Sequence, residues 1–186
     1  QELVDNVVAA CGTVDILVFC ATVPPNFDGP LAMSLEAWQR SIDVGLRGAY
    51  LMCRAAGRVM VEQGSGCIFF LSAVSAYRAF GPGDVSYTAT KAAFHAMTQT
   101  LAVHWGNSNV RVNGIAIGYV DAGVAAKETR PANAPRSDEE TLLATIPSGR
   151  AGTPEDIGWP VAFIASDLGS YINGTVVTVD GGMLAL

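Results

Sequence analysis

The chain has 186 residues, of which 50% are hydrophobic, 15% are charged and 20 are glycine, with a formal net charge of −6. That balance excludes intrinsic disorder, and its acidic sign argues against a nucleic-acid or anionic-membrane surface. The charged fraction lies well below the roughly 25% of an ordinary soluble domain, so much of the surface is expected to be buried in a core or against a partner.

From Gln1 the chain opens directly in amphipathic sequence, and Val4–Ala10 reads as a helix stopped by Gly12. Asp15–Cys20 is a continuous apolar run, the pattern of a strand buried on both faces. Pro24 and Pro25 open a loop, and Ser34 is the N-cap of a long helix from about Leu35 to Glu62, closed by Gly64-Ser65-Gly66. Cys67–Leu71 is a second buried strand, followed by a loop of glycine and small residues to Ser86. A helix is expected over Tyr87–Trp105, then a third strand over Val110–Ala116. Residues 118–149 form an irregular polar segment with Pro131 and Pro135. Thr153-Pro-Glu-Asp156 combines an N-cap, a proline at the first helical position and acids in the first turn, and the helix it starts runs to about Ser166. Gly174–Asp180 is the last strand, stopped by Gly181-Gly182.

Strands alternating with helices specify βαβ units, hence a doubly wound parallel sheet covered on both faces in three α/β/α layers. Ligands of such a sheet bind beyond the carboxyl ends of its strands. Those ends are Phe19–Thr22, Ser72–Ser75, Ile117–Val120 and Gly181–Gly182. Cys11, Cys20, Cys53 and Cys67 match no zinc or CxxC spacing and are expected to be buried, reduced thiols of a cytoplasmic protein. His95 and His104 lie nine apart, which is no metal-ligand spacing, and neither has an obvious serine partner. The longest stretch without acids or bases, Ala92–Val110, is too polar for a membrane span.

Tyr87 and Lys91 lie four apart and share one face of their helix. Between Thr88 and Gly106 Lys91 is the only formally charged residue, so the helix is expected to be buried on more than one side. A tyrosine hydroxyl ordinarily titrates near 10, and a neighbouring ammonium stabilises the phenolate and lowers that value, which makes the pair a usable acid and base. An edge tyrosine beside a snorkelling lysine is the bland alternative.

Six segments carry a likeness: Asp15-Ile-Leu-Val, Ile42-Asp-Val-Gly-Leu-Arg-Gly, Tyr87-Thr-Ala-Thr-Lys91-Ala-Ala, Val110-Arg-Val-Asn-Gly-Ile-Ala, Pro154-Glu-Asp-Ile157 and Val179-Asp-Gly-Gly182. In order and spacing the chain resembles the short-chain dehydrogenases/reductases over nearly its whole length. The resemblance implies a Rossmann-like fold and hydride transfer between NAD or NADP and an alcohol or ketone. Tyr87 would be the proton donor and acceptor, and Lys91 would bind the nicotinamide ribose and lower the tyrosine pKa. Ala21, Gly118 and Val120 would complete the cofactor contacts. Residues 118–149 would form the substrate lid, with Lys127, Glu128, Arg130 and Arg136 as solvated charges. The helices over 46–62 and 88–105 both have apolar faces to bury, and in the family such helices make the subunit interface, which implies a homodimer or homotetramer.

The departures from the family fall at the strand ends. Its Asn-Asn-Ala-Gly reads Phe19-Cys20-Ala21-Thr22, the relay asparagine falls on Gly45 and the catalytic serine on Ala73. Ser75, where the strand has ended, is the better substitute than Ser72. The Pro-Gly after the third strand reads Ile117-Gly118, and a cofactor-contacting threonine falls on Ala122. The family's TGxxxGxG loop does not occur in these residues. The expectation is therefore an N-terminally truncated, single partial domain over 1–186 that binds nicotinamide cofactors weakly or not at all, its Asp15–Cys20 strand left as an apolar edge. The alternative is a non-catalytic homologue that acts as an oligomer or interaction subunit. A serine hydrolase is disfavoured, since GxSxG does not occur.

Overall fold

The computed structural model describes residues 1–186 apart from 26, 28, 81, 82 and 124–138. Four strands form one parallel sheet in chain order: β1 (Ile16–Phe19), β2 (Gly66–Ala73), β3 (Val110–Ile117) and β4 (Val176–Val179). The register sets Phe19 beside Phe70, Ala73 beside Ile117 and Ile117 beside Val179. The carboxyl ends of all four strands therefore share one rim.

Strand alternation sorts the apolar side chains into two cores. On one face Ile68, Phe70, Val110 and Val112 pack with Ala56 and Met60 of helix α3 (Gly48–Gln63), Phe94 and Ala102 of α4 (Val85–Trp105) and Val4 of α1 (Glu2–Cys11). On the other face Cys67, Phe69 and Ile115 meet Ile157 and Ile164 of a later helix, Pro154–Ala165. With helices on both faces of a parallel sheet, the architecture is a Rossmann-like α/β/α fold. Phe94 stacks on Phe70 at 5.2 Å and meets Phe19 edge-on at 5.9 Å, so three rings lock α4 onto β1 and β2. Burying each such ring contributes about 2 kcal/mol.

Helix ends follow their sequence signals. Gly12 and Gly64 close α1 and α3 in the left-handed conformation, which is cheap only for glycine. The Ser34 hydroxyl accepts from the Ala37 N–H and starts α2 (Leu35–Ser41). A short α5 (Glu139–Leu143) precedes α6 (Pro154–Ala165), and Thr153 and Asp156 form a capping box at the start of α6.

Four expectations are corrected. The strand over Asp15–Cys20 is not buried on both faces: Phe19 is buried, whereas Ile16 and Val18 are 51% and 38% exposed. Among the described residues β1 is an edge strand paired only to β2, and α6 covers the sheet over β2, β3 and β4. The helix over Leu35–Glu62 is interrupted by a π-helical turn, Ile42–Arg47, between α2 and α3. Burial of α4 is confined to one stripe, Ser86, Thr90, Lys91, Phe94, Thr98 and Ala102, and Val103 is 81% exposed. Of the cysteines, Cys53 and Cys67 are buried, but Cys11 and Cys20 are exposed.

Candidate active site

The N-terminus of α4 is built around Asp84. Its Oδ1 accepts from the Ser86 N–H at 2.7 Å, the Tyr87 N–H at 3.0 Å and the Ser86 hydroxyl at 2.7 Å, which fixes the first turn. One turn later Lys91 is buried, and its Nζ donates to the Leu71 carbonyl at 2.6 Å, near the end of β2. The same ammonium lies 5.4 Å from the centre of the Tyr87 ring and 5.2 Å from that of Phe94. Helical spacing and the β2 carbonyl together place Tyr87 and Lys91 at the rim of the sheet.

A cleft of about 420 Å³ opens there. Tyr87, Lys91, Ser75, Gly118 and Cys20 line it, with Ala73 at the position without a hydroxyl. Ser75 sits in a single 3-10 turn after β2, and its buried Oγ has no protein hydrogen-bond partner. Ser72 is committed elsewhere: its Oγ lies 2.9 Å from both the Lys91 carbonyl and His95 Nε2. Gly118 lies against the end of β4, where a Cβ would come within 2.7 Å of Asp180 Cα. Backbone contact is what requires glycine at this position.

The other site candidates do not line this cleft. Ala21 follows β1 and is exposed. Val120 forms an isolated bridge with Gly152 and lines a separate depression with Arg150 and Asp156. Ala122 is exposed. From the lid segment Tyr119 and Leu142 reach the cleft, whereas Lys127, Glu128, Arg130 and Arg136 lie outside the described residues.

The electrostatics depart from expectation in one respect. Burial, and next the Asp84 carboxylate, hold the Tyr87 hydroxyl above its ordinary value of 10.0 rather than below it. Lys91 faces the ring and donates its hydrogen bond to the Leu71 carbonyl. Burial takes the Lys91 ammonium down to about 8, and Cys20 opposes that shift. Partial burial raises the Cys20 thiol, against the pull of Lys91.

The sequence did not reveal the Ser72–His95 contact, which corrects the expectation that neither histidine has a serine partner. The pair is no hydrolytic nucleophile. Ser72 is 2% exposed, and its hydroxyl is within donating distance of a main-chain carbonyl. Among the described residues no group of three His, Cys, Asp or Glu side chains could hold a metal ion, and no helix is long and apolar enough to cross a membrane.

A family model described as enoyl-(acyl carrier protein) reductase, of the short-chain alcohol dehydrogenase type, matches residues 1–184. L-rhamnose 1-dehydrogenase (NAD(P)(+)) of Sphingomonas sp. (strain SKA58) is 35% identical over 184 residues, which cover 98% of this chain and 70% of that protein. The 3-oxoacyl-[acyl-carrier-protein] reductase FabG of Thermotoga maritima is 34% identical over 185 residues, covering 99% of this chain and 72% of that one. The crystal structure of gox2181 superposes with a TM-score of 0.91 at 30% identity, over 100% of this chain and 71% of its own.

Proposed function

The chain belongs to the short-chain dehydrogenase/reductase family of NAD(P)-dependent oxidoreductases, and we propose that its cleft interconverts an alcohol and a ketone with Tyr87 as proton donor and acceptor. The observation that carries this reading is the meeting of Tyr87, Lys91 and the unpartnered Ser75 hydroxyl in one cleft at the strand ends. A phenol held above 10 is protonated at neutral pH, the form that delivers a proton to a ketone oxygen.

The residues present fit a nicotinamide nucleotide. An ammonium has three N–H donors, and Lys91 gives one to Leu71, which leaves capacity for ribose hydroxyls. Bound there, NAD or NADP supplies or accepts the hydride. Ser75 Oγ takes the place of the serine lost at Ala73 and hydrogen-bonds the substrate oxygen. Ala21, Gly118 and Val120 are proposed to flank the cofactor. The whole of 1–186 acts as one partial domain, with residues 118–149 as its substrate lid. The substrate is a small molecule with a hydroxyl or carbonyl group, and the protein works in the cytoplasm as a homo-oligomer.

In the protein that carries this chain, Tyr87→Phe is expected to lower ketone-dependent NAD(P)H oxidation by about 100-fold or more. Retention of the rate would sink the role given to Tyr87. Ser75→Ala is expected to lower it by about 10²-fold, the scale for one oriented donor. An unchanged rate would return Ser75 to the status of a loop residue. The 186 residues alone have no TGxxxGxG loop for the pyrophosphate, so NADH should not saturate them at micromolar concentration in a fluorescence titration. Micromolar saturation would overturn that.

A further inference from the structure

We infer that Ser72 and His95 form a positioning pair that sets Lys91 in place. The inference rests on Lys91 facing the cofactor, as proposed above. Consecutive residues of β2 grip both ends of this lysine. The Leu71 carbonyl accepts from Nζ at 2.6 Å, and the Ser72 hydroxyl donates to the Lys91 carbonyl at 2.9 Å. The strand is thereby tied to the helix backbone and to the side-chain tip of the same residue.

The role of His95 follows from counting hydrogens. A serine hydroxyl has one hydrogen and two lone pairs. With its hydrogen given to the Lys91 carbonyl, Ser72 must accept from His95, so the 2.9 Å contact is an Nε2–H donating to Oγ. The other neutral tautomer would draw the Ser72 hydrogen toward Nε2 and away from Lys91. His95 stands one turn beyond Lys91 on α4, and its ring packs on Tyr77 with centroids 4.6 Å apart. Ser72 is 2% exposed, so water does not compete for these bonds. His95 and Ser72 act through Lys91 and are positioning residues. The titratable groups facing the Lys91 ammonium itself are Cys20 and Tyr87.

The chain has only two lysines, Lys91 and Lys127, so labelling lysine with ¹³C at Cε gives two signals to follow by NMR. In the unaltered chain Lys91 should titrate near 8. Ser72→Ala and His95→Leu release the clamp, and the Lys91 midpoint should move up toward the ordinary 10.5. His95→Gln places an amide N–H where Nε2 stood and should keep the midpoint near 8. An unmoved midpoint in both Ser72→Ala and His95→Leu overturns the inference. So does a His95→Gln midpoint that rises as far as that of His95→Leu, since the ring would then act by packing alone. Should His95→Leu fail to fold, Ser72→Ala removes a single oxygen and gives the same reading. The titration needs no turnover, so its failure is distinct from failure of the Tyr87 role, which Tyr87→Phe reports.

Discussion

Lys91 is the costliest residue of the cleft. It is 4% exposed, and burial brings its ammonium from 10.5 down to about 8. Below pH 8 the folded and unfolded chains both hold the proton, and the full penalty of burying the charge is present. Between 8 and 10.5 the unfolded chain binds more protons than the folded one, so the Lys91 contribution to stability rises with pH. The whole effect is on the order of 3 kcal/mol. Cys53 acts in the opposite sense. Burial pushes its thiol up to about 12, so its contribution declines as pH rises above 9.0. A difference measurement separates them: in urea melts the unaltered chain should gain on Lys91→Met across the lysine window. A gap that stays constant would contradict the burial penalty. Tyr87 and Lys91 were legible in the sequence because a spacing of four on a helix defines a shared face. Ser72 and His95 were not, because they are 23 residues apart and only the packing of α4 on β2 sets them at 2.9 Å. The direction of the Tyr87 shift was equally hidden, since the spacing does not say that Nζ bonds the Leu71 carbonyl.

At the scale of elements, helix starts and stops were legible because caps are local chemistry: Ser34, Gly64 and the Thr153–Asp156 box all act within four residues. The π-helical turn Ile42–Arg47 was not, because a shift from i+4 to i+5 bonding has no residue signature of its own. The exposure of β1 was expected from the edge position that the family resemblance implied, and not from its apolar run, which read as a strand buried on both faces. Gly45, which the resemblance aligns with the family's asparagine, lies in the π-helical turn and packs against Thr90 of α4. A Cβ on Gly45 would lie 2.5 Å from Thr90 Cγ2, and Thr90 is buried with nowhere to retreat. The threonine methyl fills space that an asparagine side chain would need. Gly45→Asn alone is therefore expected to cost about 1–3 kcal/mol in denaturant melts, the range for overpacking. Thr90→Ser removes Cγ2, so Gly45→Asn combined with Thr90→Ser should recover most of that loss. Losses that simply add would show that the two positions are independent.

At the scale of the whole molecule, the low charge foretold apolar surface, and the resemblance put it on the helices over 46–62 and 88–105 but not on the other two places where it is found. Ile16 and Val18 line the free edge of β1, and Trp159, Phe163, Leu168 and Tyr171 stand exposed on and just after α6. The third surface is a groove of about 450 Å³ between α3 and α4, lined by Tyr50, Val61, Leu101 and Trp105. Its floor is close-packed: a Cβ on Gly57 would lie 2.6 Å from the Trp105 ring, so the two helices meet through a glycine. Its rim is open, with Tyr50 54% and Val61 37% exposed. A firm floor under a rim that sets exposed apolar side chains among the charges of Arg54, Arg58 and Glu62 is the form of a surface that a second protein covers. Because α4 carries Lys91 on its buried stripe and the half-buried Tyr87 one turn before it, a second copy seated on its outer face would stiffen the helix that presents them. Tyr50→Glu with Val61→Glu sets two carboxylates on the groove without touching the cleft. In sedimentation the unaltered chain should run as a dimer or tetramer, and this variant as a smaller species. An unaltered chain that sediments as a monomer, or a variant of undiminished mass, would remove the groove from the assembly.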